Sequence, residues 1–236
     1  MRRFATSLVL LSVCATCAIA CFTDKQAAVD PAAWRFRSGA HGRPEIAAPQ
    51  SPLRFNLSHT EGLAACAIAD GDNVGIDVEN VTRKHSRRLA ERVFSRRERK
   101  TLRELPAAEQ ARRFFELWTL KEAYLKARGL GLSIPPGALS FYRDQAGEWR
   151  IEFSASGGGA PDQGLSGRRP WTFRSWRVGR YHQAALALPV NDRPDKEHPD
   201  ADCDAENPVL QLHVGGRLGA DKRSSQIRRQ QTRDRQ

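Results

Sequence analysis

Apolar and polar residues alternate with a period of two in several short stretches of the chain, and recur at intervals of three and four in one long stretch. The pattern predicts a strand over 53–58 and a second, built of small apolar residues, over 63–69. Asp70-Gly71-Asp72-Asn73 is a turn signal. The next strand, 74–79, puts Val74, Ile76 and Val78 on one face and Gly75, Asp77 and Glu79 on the other. These last two strands are expected to form a hairpin about that turn. From 86 to 128 the pattern is helical. Ser95 followed by Glu98 has capping-box spacing, so a helix restarts there, and Pro106 breaks it. The helix that follows, 107–128, carries Phe114, Leu117, Trp118, Leu120, Tyr124 and Leu125 at spacings of mostly three and four. Gly129 and Gly131 end it, and Pro135-Pro136 forbid its resumption. Further strands are expected over 139–142, 149–153, 171–178 and 181–188. Residues 31–52 read as irregular chain and 154–169 as a Gly-rich loop. Beyond Pro189 the periodicity is lost, and 191–236 is expected to be a basic, mostly disordered tail. No internal repeat at solenoid spacing is present.

The first residues follow another pattern. Residues 4–23 carry no charge, Arg2 and Arg3 precede them, and Ala18-Ile19-Ala20-Cys21 resembles a small-residue cleavage site. A secretory signal, a membrane span and a buried helix all fit, the pattern favouring the signal. Composition changes the picture in one respect. The 236 residues are 40% hydrophobic and 28% charged, as a folded domain requires, but the formal net charge is +11. That excess calls for an anionic partner: a nucleotide-like ligand, an acidic protein, nucleic acid or a membrane surface. Lys and Arg crowd 83–103 and again the end of the chain, where a solvated face and a polar tail are the plain accounts. Cys14, Cys17, Cys21, Cys66 and Cys203 form neither a disulfide framework nor a zinc site, which leaves reduced thiols.

Four groups of residues could carry chemistry. In Gly75-Ile76-Asp77-Val78-Glu79, a period of two puts both carboxylates on one strand face. Either a hard divalent cation lies between them, or they are two solvated acids at the end of a hairpin. In Trp118-Thr119-Leu120-Lys121-Glu122-Ala123-Tyr124-Leu125-Lys126, Glu122 and Lys126 share a helix face with Trp118 one turn earlier. They read equally as a surface ion pair or as a third carboxylate with an ammonium for phosphate; Lys121 points elsewhere, by about a hundred degrees. Ser58 and His59, at a strand end, could contact a phosphate or be structural. Arg43, between Gly42 and Pro44, could grip a phosphate or be an ordinary loop arginine.

Taken in order, Gly42-Arg43-Pro44, Phe55-Asn56-Leu57-Ser58-His59, Gly75-Ile76-Asp77-Val78-Glu79 and Phe114-Phe115 with the 118–129 motif ending at Gly129 resemble the 4′-phosphopantetheinyl transferase superfamily, in its larger, pseudodimeric Sfp-type branch. The likeness runs over about 34–188. It implies an α/β (α+β) fold of two similar lobes with coenzyme A in the cleft between them. It implies that Asp77, Glu79 and Glu122 hold Mg2+ at the pyrophosphate, and that Ser58, His59 and Lys126 contact the coenzyme's phosphates. Arg43 stands where the family usually has a basic residue. The implied reaction is attack by a serine hydroxyl of an apo acyl or peptidyl carrier protein on the β-phosphate of coenzyme A, releasing adenosine 3′,5′-bisphosphate. Glu122 is the expected proton acceptor, and Lys126 the expected source of a second positive charge.

In that branch the first lobe carries more residues ahead of the position of Trp34. The expectation here is a truncated first lobe or a misassigned start, with residues 5–22 standing in for one of its helices. The domains expected are 1–33, a signal-like or remnant segment; 34–190, the transferase domain; and the tail 191–236. The coenzyme and an acidic carrier are the expected partners of a monomer, with neither nucleic acid nor membrane. Since both substrates are cytosolic, a cytoplasmic location is expected against the signal-like pattern. Two alternatives remain: an impaired relative that only binds carriers, and a basic nucleic-acid-binding protein with 83–103 as its footprint.

Overall fold

A computed structural model describes residues 30–39, 42–83, 87–129, 134–153, 170–190 and 210–216. A short 3-10 turn, Pro31–Ala33, leads into β1 (Arg35–Ser38) and β2 (Pro44–Ala48), which pair antiparallel. This ribbon occupies much of the stretch expected to be irregular; Trp34, Phe36 and Ile46 supply it with an apolar face that Gly and Pro content had masked. Strands β3 (Leu53–Thr60) and β4 (Leu63–Asp70) form a hairpin about Glu61-Gly62, where Gly62 takes a φ of 79°. Then come β5 (Gly75–Asn80) and three helices: α1 (Arg87–Val93), α2 (Arg96–Glu104) and α3 (Ala107–Arg128). The capping box is formed, with Ser95 as N-cap and Glu98 reaching back, and Gly129 closes α3 at φ 64°. Strands β6 (Leu139–Arg143) and β7 (Trp149–Phe153) pair with each other, and β8 (Trp171–Val178) pairs with β9 (His182–Pro189).

The expected hairpin of the second and third strands is not made. Strand β4 pairs with β3 through a shorter turn, while β5 joins a second sheet in the order β5-β9-β8. The 70–73 turn therefore carries the chain from one sheet to the next. The outer edge of β5 is satisfied by side chains instead of a strand. Asn56 Oδ1 accepts from the Ile76 amide at 2.9 Å, Ser58 Oγ from Val78 at 3.1 Å, and Thr60 Oγ1 from Asn80 at 3.3 Å. The period of two on β3 matches the period of two on β5, so polar side chains stand in for ladder partners.

The tail differs from expectation over 210–216, where β10 (Leu210–Gly216) pairs antiparallel with β4. The rest of 191–236, the Gly-rich loop 154–169 and residues 1–29, with their signal-like pattern and their bearing on a first lobe, lie outside the described residues. No described helix is long and apolar enough to cross a membrane.

The fold is α+β and layered. Small residues of β4 (Ala65, Ala67, Ala69) pack on Val74, on Ile76 and Val78 of β5 and on Leu186 of β9. The opposite face of β5-β9-β8 meets α3, whose other sides are covered by α1, α2 and the β6–β7 pair through Phe94, Leu102, Phe114, Phe141 and Trp149. Contact between β5 and α3 is very close. A Cβ on Gly75 would lie 1.9 Å from the carbonyl oxygen of Ala123 and 2.5 Å from the amide nitrogen of Ala127. Both obstacles are helix backbone, so α3 can lie there only because residue 75 is glycine.

Gly75→Ala is therefore expected to destabilise the protein by about 1–3 kcal/mol or more, as overpacking does. Thermal denaturation checks this: an unchanged melting temperature would mean that α3 does not depend on that contact.

Candidate active site

The close approach at Gly75 brings the face of β5 that bears Asp77 and Glu79 under the side of α3 that bears Trp118, Glu122 and Lys126. Asp77 is buried, at 5% exposure, opposite Ala185 of β9. Its Oδ1 accepts from Lys126 Nζ at 2.7 Å and from Ser58 Oγ at 2.9 Å. Lys126 Nζ also donates to Ser58 Oγ at 3.0 Å and to the Ile76 carbonyl at 3.2 Å, so its three donors are all engaged. Ser58 Oγ, already accepting from Val78 and Lys126, has no capacity left over. It links three elements. The second oxygen of Asp77, Oδ2, is buried and has no partner among the described residues. Burial pushes the Asp77 carboxyl up, while Lys126 and Ser58 pull it down.

Glu79 is held from both ends. Its Oε1 accepts from Trp118 Nε1 at 3.1 Å and its Oε2 from Arg83 at 2.8 Å. Glu122 has a different setting: no hydrogen bond or ion pair engages its carboxylate among the described residues. The surface pair with Lys126 is not formed, because the ammonium turns to Asp77. Glu122 is pushed up to about 6, by burial first, then by the charge of Asp77 and, more weakly, of Glu79, with Lys126 opposing. Asp77, Glu79, Glu122, Lys126 and Ser58 thus form one electrostatic cluster. Among the described residues no three His, Cys, Asp or Glu side chains stand as a group that could hold a metal ion. Lys126 satisfies one oxygen of Asp77, and Trp118 and Arg83 satisfy Glu79.

His59 is parted from Ser58. Alternation along β3 puts Ser58 with Asn56 toward β5, and His59 on the opposite face, exposed. Arg43 reaches the cluster's far end. Its guanidinium donates to the carbonyls of Lys126 and Ala127 at 3.2 Å and of Val74 at 3.3 Å, tying β2 to the last turn of α3 and the start of β5. Carbonyls at a helix C-terminus favour such a cation. Arg43 also lines a 360 Å³ pocket with Arg37, Arg54, Arg128, Glu45 and Phe55. In the basic stretch, Arg97 pairs with Glu152 and Lys100 with Glu104, while Arg96 and Arg103 are exposed.

Sequence reasoning missed Asn56, Thr60 and the buried Glu98–Lys121 pair at 2.8 Å. The signal for Asn56 and Thr60 was the polar period of two through Ser58. For Glu98 it was the capping box, which ties its carboxylate to the Ser95 amide. Nothing local announced its partner.

Comparison with known proteins adds the following. The profile of the 4′-phosphopantetheinyl transferase superfamily matches residues 73–188, from the start of β5 through most of β9. The 4′-phosphopantetheinyl transferase HetI of a Nostoc species is 40% identical over 44% of this chain and 46% of its own length. The 4′-phosphopantetheinyl transferase Sfp of Bacillus subtilis is 35% identical over 56% of this chain and 58% of its own. A further Bacillus subtilis 4′-phosphopantetheinyl transferase is 33% identical over 75% of this chain and 68% of its own length. The chain thus spans about half the length of the first two and two thirds of the third.

The raised Glu122 carboxyl sets a pH dependence of stability. A carboxyl whose folded value lies above its ordinary 4.5 stabilises the fold when protonated, and that contribution is lost as pH rises through about 6. Glu122→Gln should therefore melt above wild type at pH 8, by on the order of 1–2 kcal/mol, with the difference vanishing below about pH 4.5. Chemical denaturation at the two pH values measures it. A variant less stable than wild type at pH 8 would contradict the assignment.

Proposed function

The chain belongs to the 4′-phosphopantetheinyl transferase superfamily, and from that premise we propose that it transfers the 4′-phosphopantetheine arm of coenzyme A to a serine of an apo acyl or peptidyl carrier protein. The observation that carries this reading is the β5–α3 cluster of three mutually repelling carboxylates, in which Asp77 Oδ2 is buried with no partner among the described residues. The serine oxygen bonds to the phosphorus on the pantetheine side of the pyrophosphate. The anhydride bond to the departing phosphate breaks, and adenosine 3′,5′-bisphosphate leaves with the bonding pair. Glu122 takes the serine proton, directly or through a water; above about pH 6 it is ionised, and it has no competing partner among the described residues. Lys126 places a positive charge beside Asp77, and Ser58 holds Lys126 and Asp77 in register.

The side-chain chemistry suits a magnesium ion, being all oxygen, anionic and short of one cation, although the three acids do not stand as a metal-holding group among the described residues. Asp77, Glu79 and Glu122 would hold it. When bound, it supplies charge against the pyrophosphate. The arginine-lined pocket at Arg43 adjoins the end of α3 and supports binding of the coenzyme's phosphates there. His59, on the other face of β3, would reach the coenzyme only from that side. The exposed basic side chains of α2, Arg96 and Arg103 among them, suit a carrier that is acidic around its serine. The protein acts as a monomer in the cytoplasm, where coenzyme A and apo carriers occur. Arg83, Arg97 and Lys100 of the basic stretch are already paired with acids, which leaves less of it for a nucleic-acid footprint.

Mass spectrometry of an apo carrier incubated with coenzyme A, magnesium and this protein tests the proposal. The expected result is a gain of one phosphopantetheine, lost on chelation and lost in Asp77→Ala and Glu122→Ala, both of which stay folded. A carrier left unmodified by the wild type, or modified at similar rate by either variant, would overturn the reading.

A further inference from the structure

Lys121 is completely buried and adjoins Glu122 in sequence, yet the reaction above makes no use of it. Its ammonium pairs with Glu98 Oε2 at 2.8 Å and donates to the carbonyls of Pro136, at 2.8 Å, and Leu139. Glu98 is equally filled. Its Oε2 also accepts from the Ser95 amide, and its Oε1 from the Phe141 amide, both at 2.8 Å. Ser95 Oγ accepts from the Glu98 amide at 3.2 Å and meets Ser140 Oγ at 2.9 Å. One side of α3 is therefore bonded to the first turn of α2, to the 3-10 turn Pro136–Ala138 and to β6.

Stability alone does not explain such a pair, because apolar side chains of similar volume commonly stabilise a core as well or better. The core around α3 already offers Phe114, Leu120, Tyr124 and Phe173 for that purpose. What apolar packing lacks is direction. It holds a helix against its neighbours but restrains rotation about the helix axis less sharply than hydrogen bonds of fixed geometry do. Rotation matters here. Glu122 lies about a hundred degrees around α3 from Lys121, and its carboxylate has no partner among the described residues, so only the helix backbone sets where it stands.

We propose that the Lys121–Glu98 pair is a positioning device, which fixes the rotation of α3 so that Glu122 faces Asp77, and that neither residue touches substrate. The inference rests on the transferase reading of the site. Burial pulls the Lys121 ammonium below its ordinary value, with Glu98 opposing.

The test uses the wild type, Lys121→Met, Glu98→Gln and the double variant. Each single change leaves a buried charge or a buried acceptor without its partner and should lower the melting temperature, and the double variant should recover most of the loss. Despite that recovery, the double variant should show kcat for transfer and affinity for magnesium, by calorimetry with coenzyme A present, each lowered about tenfold or more, with KM for coenzyme A little changed. Recovered stability with wild-type kcat and wild-type magnesium affinity would overturn the proposal. Should the double variant fail to fold, Glu98→Asp carries the same comparison, keeping the charge while shortening its reach: a folded protein with lowered kcat supports positioning, and wild-type kcat overturns it. A wild type that transfers nothing fails the transferase reading and leaves the magnesium affinities to decide the positioning role. A wild type that also binds no magnesium overturns both.

Discussion

Lys126 reaches from α3 to Asp77 on β5, across a contact so short that only the missing side chain of Gly75 permits it. That ion pair organises the site. A carboxylate as deeply buried as Asp77 would be strongly disfavoured if left alone. It is tolerated because an ammonium and a hydroxyl both address Oδ1, and the hydroxyl of Ser58 is itself anchored to the backbone of β5. Asn56 and Thr60 continue that anchoring on either side, so the strand bearing the two acids is pinned along the edge that no strand covers.

The cluster is electrostatically incomplete in a definite way. Asp77, Glu79 and Glu122 put three acidic side chains within reach of one another's charge, where Lys126 compensates one and Arg83 another, from an exposed position where its effect is screened. The remaining strain falls on Glu122, pushed up to about 6 by its burial and then by its acidic neighbours. Structures that keep such strain do so where an additional charge is to be received. The divalent cation and pyrophosphate proposed above would meet that demand, the one relieving the acids and the other facing the charge of Lys126. Behind α3 the Lys121–Glu98 pair is the counterpart, a buried charge couple fully satisfied by its own surroundings.

Much of this was legible in the chain. The helix 107–128 and its glycine stop, the capping box at Ser95, and the strands 53–58 and 63–69 appear nearly where the pattern places them, because each is set by local periodicity or local hydrogen bonding. The electrostatic coupling of Asp77, Glu79, Glu122 and Lys126 follows the order of their motifs. Strand partnership was not. The turn at 70–73 joins two strands that belong to different sheets, and nothing near it reveals that Glu61-Gly62 makes the tighter hairpin or that β9 pairs with β5. The same limit hid the ribbon β1–β2 and the strand at 210–216, which owe their existence to distant partners. It also hid the parting of Ser58 from His59 until a face of β3 was known to meet β5, and the role of Arg43 as a clasp on carbonyls of α3.

The most direct measurement is a crystal structure of the protein with coenzyme A and magnesium. This account predicts an ion bound by oxygens of Asp77 and Glu122, the coenzyme's pyrophosphate against it, and α3 still packed on Gly75. A coenzyme bound away from the β5–α3 crossing, with Asp77 and Glu122 making no contact to ion or pyrophosphate, would contradict it.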